Sequence, residues 1–110
     1  LLPSLMLTTV GAKSGLPRTT PLATMPVEVS WYVVGSNFGR SNHPAWTANL
    51  LANPDAEISF DAKAVPVRAH LLTPAEKADV WGRLAALWPN YDLYVARSGR
   101  DLRVFRLDPR

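Results

Sequence analysis

The sequence contains no cysteine, and this absence excludes disulfide bonds and every metal site built on thiolate ligands. It also lacks any apolar run near the roughly 20 residues that a membrane-spanning helix requires. No run of five or six like charges occurs, and no signal-peptide pattern is present. These absences argue against a membrane-spanning or disulfide-stabilised protein and lead us to expect a cytoplasmic location.

Several motifs of catalysis and nucleotide binding are missing as well. The chain has neither GxxxxGK[ST] nor GxGxxG, and it has neither HExxH nor GxSxG. Its two histidines, His43 and His70, lie apart in the sequence, and no pair of carboxylates has a suggestive helical spacing. We therefore expect no metal ion and no hydrolytic centre.

The composition that is present fits one small domain. With 110 residues, 47% of them hydrophobic, the chain is long enough for one core, so residues 1–110 are interpreted as a single domain. The net charge of +3 favours an anionic ligand and is too small for a nucleic-acid arm. The chain begins LLPSLML without an initiator Met, so we expect a missing N-terminal segment, through which peripheral membrane contact stays open.

The most informative stretch is TTVGAKSGLPRTTPL, near the N-terminus. Gly11 and Gly15 bracket a short loop that contains Lys13, and Arg18 follows it. Glycines let such a loop expose backbone N–H groups, and the two cations add a point charge and a planar fork for a phosphate. The loop is therefore a candidate anion site, although an ordinary hairpin turn with solvated charges fits the same spacing.

The remaining patterns predict many short strands and two helices. Strands are predicted over residues 5–10, 20–27, 30–36, 57–60, 64–72 and 102–107. One helix is expected over residues 43–53, capped by Asn42, and another from the capping box at Thr73 to Trp88. Pro66 should place its strand at an edge or a bulge. This order favours an antiparallel sheet or small barrel with helices outside it.

An aromatic segment, WPNYDLY, follows the second helix. Trp88, Tyr91 and Tyr94 are spaced three residues apart, so a short helical turn would place them on one face. Such a face could line a ligand site, and it could equally fill a core or an interface.

Four segments together carry a resemblance: LTTVGAKSGLPRTTPL, VVGSN, NHPAWTANLLANP and WPNYDLY, in this order. In them the chain resembles the deazaflavin-dependent nitroreductase family, whose members use reduced coenzyme F420, and the likeness runs from Leu7 to Pro109. His43 stands where the family commonly has Asn, and Asn37 stands where a Lys can occur. The resemblance implies a mainly β fold with α, an antiparallel split β-barrel with flanking helices, as in FMN-binding proteins.

The resemblance also implies a cofactor and a reaction. The cofactor is coenzyme F420, a deazaflavin with a phosphate and an oligoglutamate tail, and the reaction transfers a hydride to a quinone, a nitroaromatic or an activated double bond. Tyr91 would supply a hydroxyl on the substrate side, with Tyr94 and Trp88 on the same aromatic face. The family's cofactor contacts fall on Ala12, Lys13, Ser14, Arg18, Thr19, Thr20, Pro21, Leu22, Ala23, Val34, Gly35, Ser36, Asn37, Ala45, Trp46, Thr47, Ala48 and Asn49.

Within that set, the residues up to Ala23 would serve mainly the phosphate and tail, and those around Ser36, Asn37 and Trp46 would lie toward the ring. The Trp46 side chain itself is more typical of a core residue. Two other interpretations stay open at this point: a protein that carries F420 or a flavin without turnover, and a small nucleic-acid-binding barrel, which the low net charge disfavours. A homodimer is also left open.

Overall fold

The computed structural model describes residues 2–110, which form one seven-stranded sheet and three α-helices. The strands are β1 (Ser4–Val10), β2 (Pro17–Ala23), β3 (Met25–Val27), β4 (Ser30–Val34), β5 (Asp55–Phe60), β6 (Lys63–Leu71) and β7 (Val104–Pro109). The helices are α1 (Ala45–Ala52), α2 (Pro74–Leu87) and α3 (Asn90–Ser98). None of these helices is long and apolar enough to cross a bilayer.

The sheet is antiparallel throughout, in the order β2-β1-β5-β6-β7-β4-β3. Its two edge strands, β2 and β3, are neighbours in sequence and are joined by Thr24 alone. Because successive Cα atoms are only about 3.8 Å apart, the sheet must curl until its edges meet at this corner. The predicted antiparallel split β-barrel with flanking helices is thereby confirmed.

The prediction of a single strand over residues 20–27 is wrong, because Thr24 separates β2 from β3. Its N–H donates to the Pro3 carbonyl at 2.9 Å, and its Oγ1 donates to the Tyr32 carbonyl at 2.9 Å. Pro3 leads into β1 and Tyr32 lies in β4, so the buried Thr24 bonds to both ends of the curled sheet. A continuous strand would leave these two ends apart.

Two buried clusters lie on opposite faces of β4, because successive strand residues point to opposite sides. Val33 belongs to the cluster inside the barrel, where Trp46 of α1 is also buried. Val34 belongs to the second cluster, which holds Leu84 of α2 and Tyr91 of α3. The end of β4 is thus fixed between α1 on one face and α3 on the other, and this is where the site described below is built.

α1 starts two residues later than predicted, and its cap differs from the prediction. Pro44 occupies the N-cap position, without a side-chain cap, and its carbonyl accepts hydrogen bonds from both N–H and Oγ1 of Thr47, at 3.1 and 2.8 Å. The predicted cap, Asn42, lies outside the helix, where its carbonyl accepts from Asn37 Nδ2 at 3.0 Å. Asn42 therefore stabilises the preceding loop.

Pro66 is compatible with a central strand, so the expectation of an edge or a bulge is wrong. β6 lies between β5 and β7, and its register with β5 runs unbroken through the Glu57–Pro66 pair. On the other side, pairing with β7 begins only at Val67, while the Pro66 carbonyl accepts from the Arg110 N–H. The N–H and C=O of a strand residue point to the same side, so the N–H that Pro66 lacks would have pointed toward β7. The regular pairing with β7 has already ended at this position, so no ladder hydrogen bond is lost.

α2 begins with the predicted capping box. Thr73 Oγ1 accepts from the Glu76 N–H at 3.2 Å, and a Glu76 carboxylate oxygen accepts from the Thr73 N–H at 2.8 Å. His70 Nε2 lies 2.9 Å from the same carboxylate. The backbone hydrogen bond from Thr73, followed by the His70 contact, lowers the pKa of Glu76 to about 2.

This lowered pKa predicts part of the response to acid. The native state holds Glu76 ionised below its ordinary value of 4.5, so the unfolded state binds the proton first as the pH falls. The stability that the ionised carboxylate contributes is complete above pH 4.5 and is lost as the pH approaches 2. In urea unfolding at a series of pH values, Glu76→Gln should lose stability less steeply over this window than the wild type. Glu57→Gln, at an exposed position of β5, is the control, and parallel curves for wild type and Glu76→Gln would contradict the assignment.

Candidate active site

A cavity of about 680 Å³ opens beside the predicted anion loop. We call it the cationic cavity, because Lys13 and Arg18 line it and no carboxylate occurs among the described residues of its wall. It lies between the glycine loop (residues 11–16), the start of β2, α1 and the β4–α1 loop (residues 35–44). The lining residues are Thr9, Gly11, Ala12, Lys13, Ser14, Arg18, Thr19, Thr20, Asn37, Asn42, His43, Pro44, Ala45, Trp46, Ala48 and Asn49.

A second cavity of about 300 Å³ lies beyond it, toward α3. We call it the aromatic cavity, and within the described part of the chain its wall carries no ionised side chain at neutral pH. The two cavities share four residues, Thr20, Asn37, Pro44 and Trp46, so they lie side by side, and we refer to them together as the crevice. The lining residues are Leu2, Thr20, Pro21, Leu22, Ala23, Val34, Ser36, Asn37, Phe38, Pro44, Trp46, Trp88, Tyr91 and Tyr94.

The glycine loop is held open by its own backbone. Gly11 N–H donates to the Leu16 carbonyl at 2.8 Å, and the N–H of Gly15, whose φ is 70°, donates to the Gly11 carbonyl at 2.9 Å. A side chain at residue 11 would collide with Ser14, whose Oγ would lie 2.5 Å from the added Cβ. The backbone N–H groups of Lys13 and Ser14 find no acceptor within residues 2–110. The loop therefore has two unpaired backbone donors on residues that line the cationic cavity.

Asn49 fixes this loop to α1. Its side chain is buried, with Oδ1 accepting from the Ala12 N–H at 2.9 Å and Nδ2 donating to Thr9 Oγ1 at 3.0 Å. Both ends of the amide are thus used within the protein, although Asn49 also lines the cavity. The residue joins β1, the glycine loop and α1 into one wall.

The β4–α1 loop contains a single helical turn, Asn37–Gly39, in which all three residues have positive φ: 46°, 56° and 79°. For Phe38 this region costs roughly 1–2 kcal/mol, whereas asparagine adopts it more readily. A Cβ at residue 39 would come within 3.4 Å of Arg97 and Tyr94, so glycine also permits the close approach to α3. Surrounding contacts must therefore hold this turn, which borders both cavities.

Two tyrosines of α3, Tyr91 and Tyr94, line the aromatic cavity. Tyr91 and Tyr94 are buried, yet neither hydroxyl has a hydrogen-bond partner within residues 2–110. Since no buried side-chain polar atom of the described chain lacks a partner, these two hydroxyl oxygens must be accessible to solvent. Burial, with a smaller contribution from Tyr94, raises the pKa of Tyr91 to about 12. Tyr91 therefore stays protonated and can donate a hydrogen bond.

The structure brings most of the residues singled out from the sequence to this crevice. Gly35 and Thr47 are the exceptions, because both are buried behind the wall. A Cβ at residue 35 would lie 2.7 Å from the Thr47 side chain, so the pair allows β4 to approach α1 closely. Trp46 is both a lining residue and a core residue, with its ring centroid 5.8 Å from that of Phe105.

Sequence reasoning missed several residues of the crevice. Phe38 carried no recognisable signal, since its exposure comes from the strained turn. Arg100, which lines neither cavity, was also missed, although its side chain contacts the β4–α1 loop at several points. Besides Phe38, the lining residues outside the predicted set of cofactor contacts are Leu2, Thr9, Gly11, Asn42, His43 and Pro44, of which Gly11 belongs to the candidate anion loop.

The crevice fits a long ligand with an anionic half and a planar half. The cationic cavity has two basic side chains and unpaired loop N–H groups, whereas the aromatic cavity is uncharged. Coenzyme F420 has this division, since a tricyclic ring lies at one end and a phosphate with glutamates at the other. The residues present therefore fit that cofactor.

Comparison with known proteins gives the same result. The F420H2-dependent quinone reductase family matches residues 1–109. An F420H2-dependent quinone reductase of Mycobacterium tuberculosis is 36% identical over 111 residues, covering 98% of this chain and 74% of that protein. A solved F420-H2 dependent reductase superposes with a TM-score of 0.87 at 31% identity, covering 96% of this chain and 94% of the other. A second structure, described as a domain-swapped dimer, also has a TM-score of 0.87 at 31% identity, with 96% and 80% coverage.

The expected cofactor and enzyme class are therefore confirmed, as is the resemblance from which both were inferred. With a family match over almost the whole sequence and relatives above 30% identity, this chain belongs to the F420H2-dependent quinone reductase family of oxidoreductases.

Proposed function

We propose that this chain reduces quinones with F420H2, holding the coenzyme tail in the cationic cavity and its ring in the aromatic cavity. The observation that carries the proposal is the adjacency of two cavities, one lined by two cations and the other uncharged. Nitroaromatics and activated double bonds are further candidate acceptors of the same site. A planar acceptor of any of these classes would suit an uncharged aromatic wall.

The cationic cavity supports binding of the tail. Lys13 can act as a point charge, and Arg18 can present a planar fork to a phosphate or a carboxylate. The N–H groups of Lys13 and Ser14 add donors that a phosphate oxygen could accept. Because the described residues of this wall include no carboxylate, nothing there repels an anionic tail.

The aromatic cavity supports the redox end of the reaction. When bound, the reduced coenzyme supplies a hydride and thus works as a two-electron donor. The protein must hold the acceptor flat beside the ring and keep water away, which the side chains of Trp88, Tyr91 and Tyr94 suit. The exposed Phe38 stands edge-on to Tyr94, with ring centroids 6.5 Å apart, and extends this aromatic surface outward.

Tyr91 is proposed to hold the acceptor rather than to protonate it. A phenol whose pKa is about 12 gives up its proton reluctantly at neutral pH, but it donates a hydrogen bond well. Its hydroxyl would point at a carbonyl oxygen of a quinone, where negative charge grows as the hydride arrives. The proton that completes the hydroquinone would then come from solvent at the mouth of the crevice.

The direct test mixes the purified protein with F420H2 and follows coenzyme oxidation with menadione, a nitroaromatic and an activated enone. Turnover with menadione is the expected result. Coenzyme binding without oxidation by any member of this panel would favour a carrier function, and absence of binding at micromolar concentration would refute the proposal.

For Tyr91→Phe we expect quinone turnover to fall on the order of tenfold while coenzyme affinity is retained, because the change removes one hydrogen bond made to the acceptor. The measurement is kcat and KM for menadione beside the dissociation constant of the oxidised coenzyme. Tyr32→Phe, in β4 and outside both cavities, is the matched control. A loss of coenzyme affinity with unchanged turnover would move Tyr91 to the cofactor instead.

A further inference from the structure

Arg100 lies in the segment between α3 and β7, and its guanidinium makes four contacts with one loop. Nε donates to the Arg40 carbonyl at 2.9 Å, and Nη2 donates to the Ser36 carbonyl at 2.7 Å. Nη1 donates to the Gly35 carbonyl at 3.0 Å and lies 3.1 Å from His43 Nδ1. A single side chain thus binds both ends of the β4–α1 loop.

These contacts enclose the strained turn, Asn37–Gly39. Ser36 precedes the turn and Arg40 follows it, so Arg100 holds the backbone on each side of the three residues with positive φ. A conformation of this kind persists only where its surroundings impose it. Arg100 is placed to impose it, because its planar fork matches several fixed carbonyl oxygens at once.

The fourth contact determines the state of His43. A guanidinium has donors only, so the Arg100–His43 contact requires that Nδ1 of His43 be the acceptor. The ring is then neutral and carries its proton on Nε2, the opposite nitrogen. Since His43 lines the cationic cavity, it can present a neutral N–H donor there, in the same cavity as the charged side chains of Lys13 and Arg18.

We propose that Arg100 is a positioning residue of the coenzyme site, which fixes the β4–α1 loop and holds His43 as an Nε2–H donor to an oxygen of the bound tail. The inference rests on the proposed placement of the tail in the cationic cavity. It assigns a role to two residues, of which neither contacts the aromatic cavity.

The charges around His43 agree with this role. Burial first, and then the positive charges of Arg103 and Arg100, lower the pKa of His43, while Asp101 acts in the opposite direction. Lys13 and Arg18 face the same cavity from the other wall. The imidazole therefore stays neutral at neutral pH, as the hydrogen bond from Arg100 requires.

The first measurement uses the protein without coenzyme. The pKa of His43 is followed by NMR of its ring nitrogens, and the signal is assigned with His43→Asn. Arg100→Gln should raise this pKa, because it removes both a nearby charge and the donor that keeps Nδ1 unprotonated. Arg83→Ala, which removes an exposed charge from α2, should leave it unchanged. An identical His43 pKa in wild type and Arg100→Gln would overturn the proposal.

The second measurement is coenzyme affinity. His43→Ala should weaken binding about tenfold, and His43→Asn, which keeps a donor and an acceptor, should stay within about threefold of wild type. Because Arg100 acts through His43 and the loop, losses in Arg100→Gln and His43→Ala should combine less than additively. Fully additive losses would show that the two residues act independently and would also overturn the proposal.

Arg100→Lys keeps the proposal testable if Arg100→Gln does not fold. Lysine retains the charge but has no planar fork, so coenzyme affinity should fall while the His43 pKa stays lowered. Wild-type affinity in Arg100→Lys would contradict the role of the fork.

Failure of the proposed function gives a different result. If the wild-type protein binds no coenzyme, yet Arg100→Gln still raises the pKa of His43, the proposed function is refuted and the Arg100–His43 contact is established.

Discussion

Replacing Asn49 with alanine is expected to detach the glycine loop from α1 and to weaken coenzyme binding on the order of 10- to 100-fold. The change leaves Thr9 Oγ1 without its donor and the Ala12 N–H without its acceptor. An unpaired buried polar group costs about 1–3 kcal/mol, so the free energy of unfolding should fall by a similar amount. Urea unfolding and titration with the oxidised coenzyme measure the two effects.

Asn53→Ala is the matched control for this prediction, because Asn53 caps the other end of the same helix. Its Oδ1 accepts one weak hydrogen bond, from the Asp55 N–H at 3.3 Å, and the residue lines neither cavity. It should affect stability slightly and coenzyme binding not at all. Equal coenzyme affinity in Asn49→Ala and Asn53→Ala would mean that the loop keeps its shape without Asn49.

The glycine loop and the aromatic face could be predicted because each depends only on residues that are close together in the sequence. Gly11 and Gly15 mark a turn whatever the rest of the chain does, and Tyr91 and Tyr94 share a face on any helix. The structure extends that helix to Ser98, beyond the short turn expected from the sequence, and ends it at Gly99 with a φ of 66°. Glycine just after the last helical residue is a sequence signal that could have given this boundary.

The contacts of Arg100 could not be predicted in the same way. Arg100 lies 57 residues from His43 and 65 from Gly35 in the sequence, so their contact depends on how the sheet curls. Thr24 supports that curl, because its two hydrogen bonds reach Pro3, just before β1, and Tyr32 in β4. No sequence pattern predicts that β1 and β4 come so close. Local sequence patterns thus predicted the glycine loop and the aromatic face. The contacts of Arg100 with the β4–α1 loop could be seen only in the folded barrel.

Pro66 shows that the position of a strand in the sheet also could not be predicted from the sequence. A proline within a strand pattern predicts an edge, because its missing N–H breaks a ladder. β6 is nevertheless a central strand, because its second neighbour, β7, pairs with it only from Val67 onward and leaves the side of Pro66 that lacks the N–H outside the ladder. The position of one strand's end relative to another depends on register, which a single sequence does not state.

The second large effect is expected for the pair Lys13→Ala and Arg18→Ala. Each change should weaken coenzyme binding by about 1–3 kcal/mol, because each removes a charge-assisted hydrogen bond to the tail. If the two side chains hold different groups of the tail, the double variant loses the sum, and if they share one phosphate, it loses less. Titrations of the single and double variants distinguish these two arrangements.

Matched controls come from cations outside the crevice. Lys63→Ala and Arg83→Ala remove exposed charges from β6 and α2, and neither residue lines a cavity. Both should leave binding near the wild-type value at moderate salt. Raising the salt should weaken wild-type binding more than that of the double variant, since screening acts on charges that only the wild type presents.

A fragment of the coenzyme makes the test specific to the tail. The deazaflavin ring with its ribityl chain, but without phosphate or glutamates, has no negative tail for Lys13 and Arg18 to bind. The double variant should therefore bind this fragment as the wild type does, while it loses affinity for the whole coenzyme. Equal losses for the fragment and the coenzyme would place the two cations beside the ring, and the orientation of the ligand in the crevice would have to be reversed.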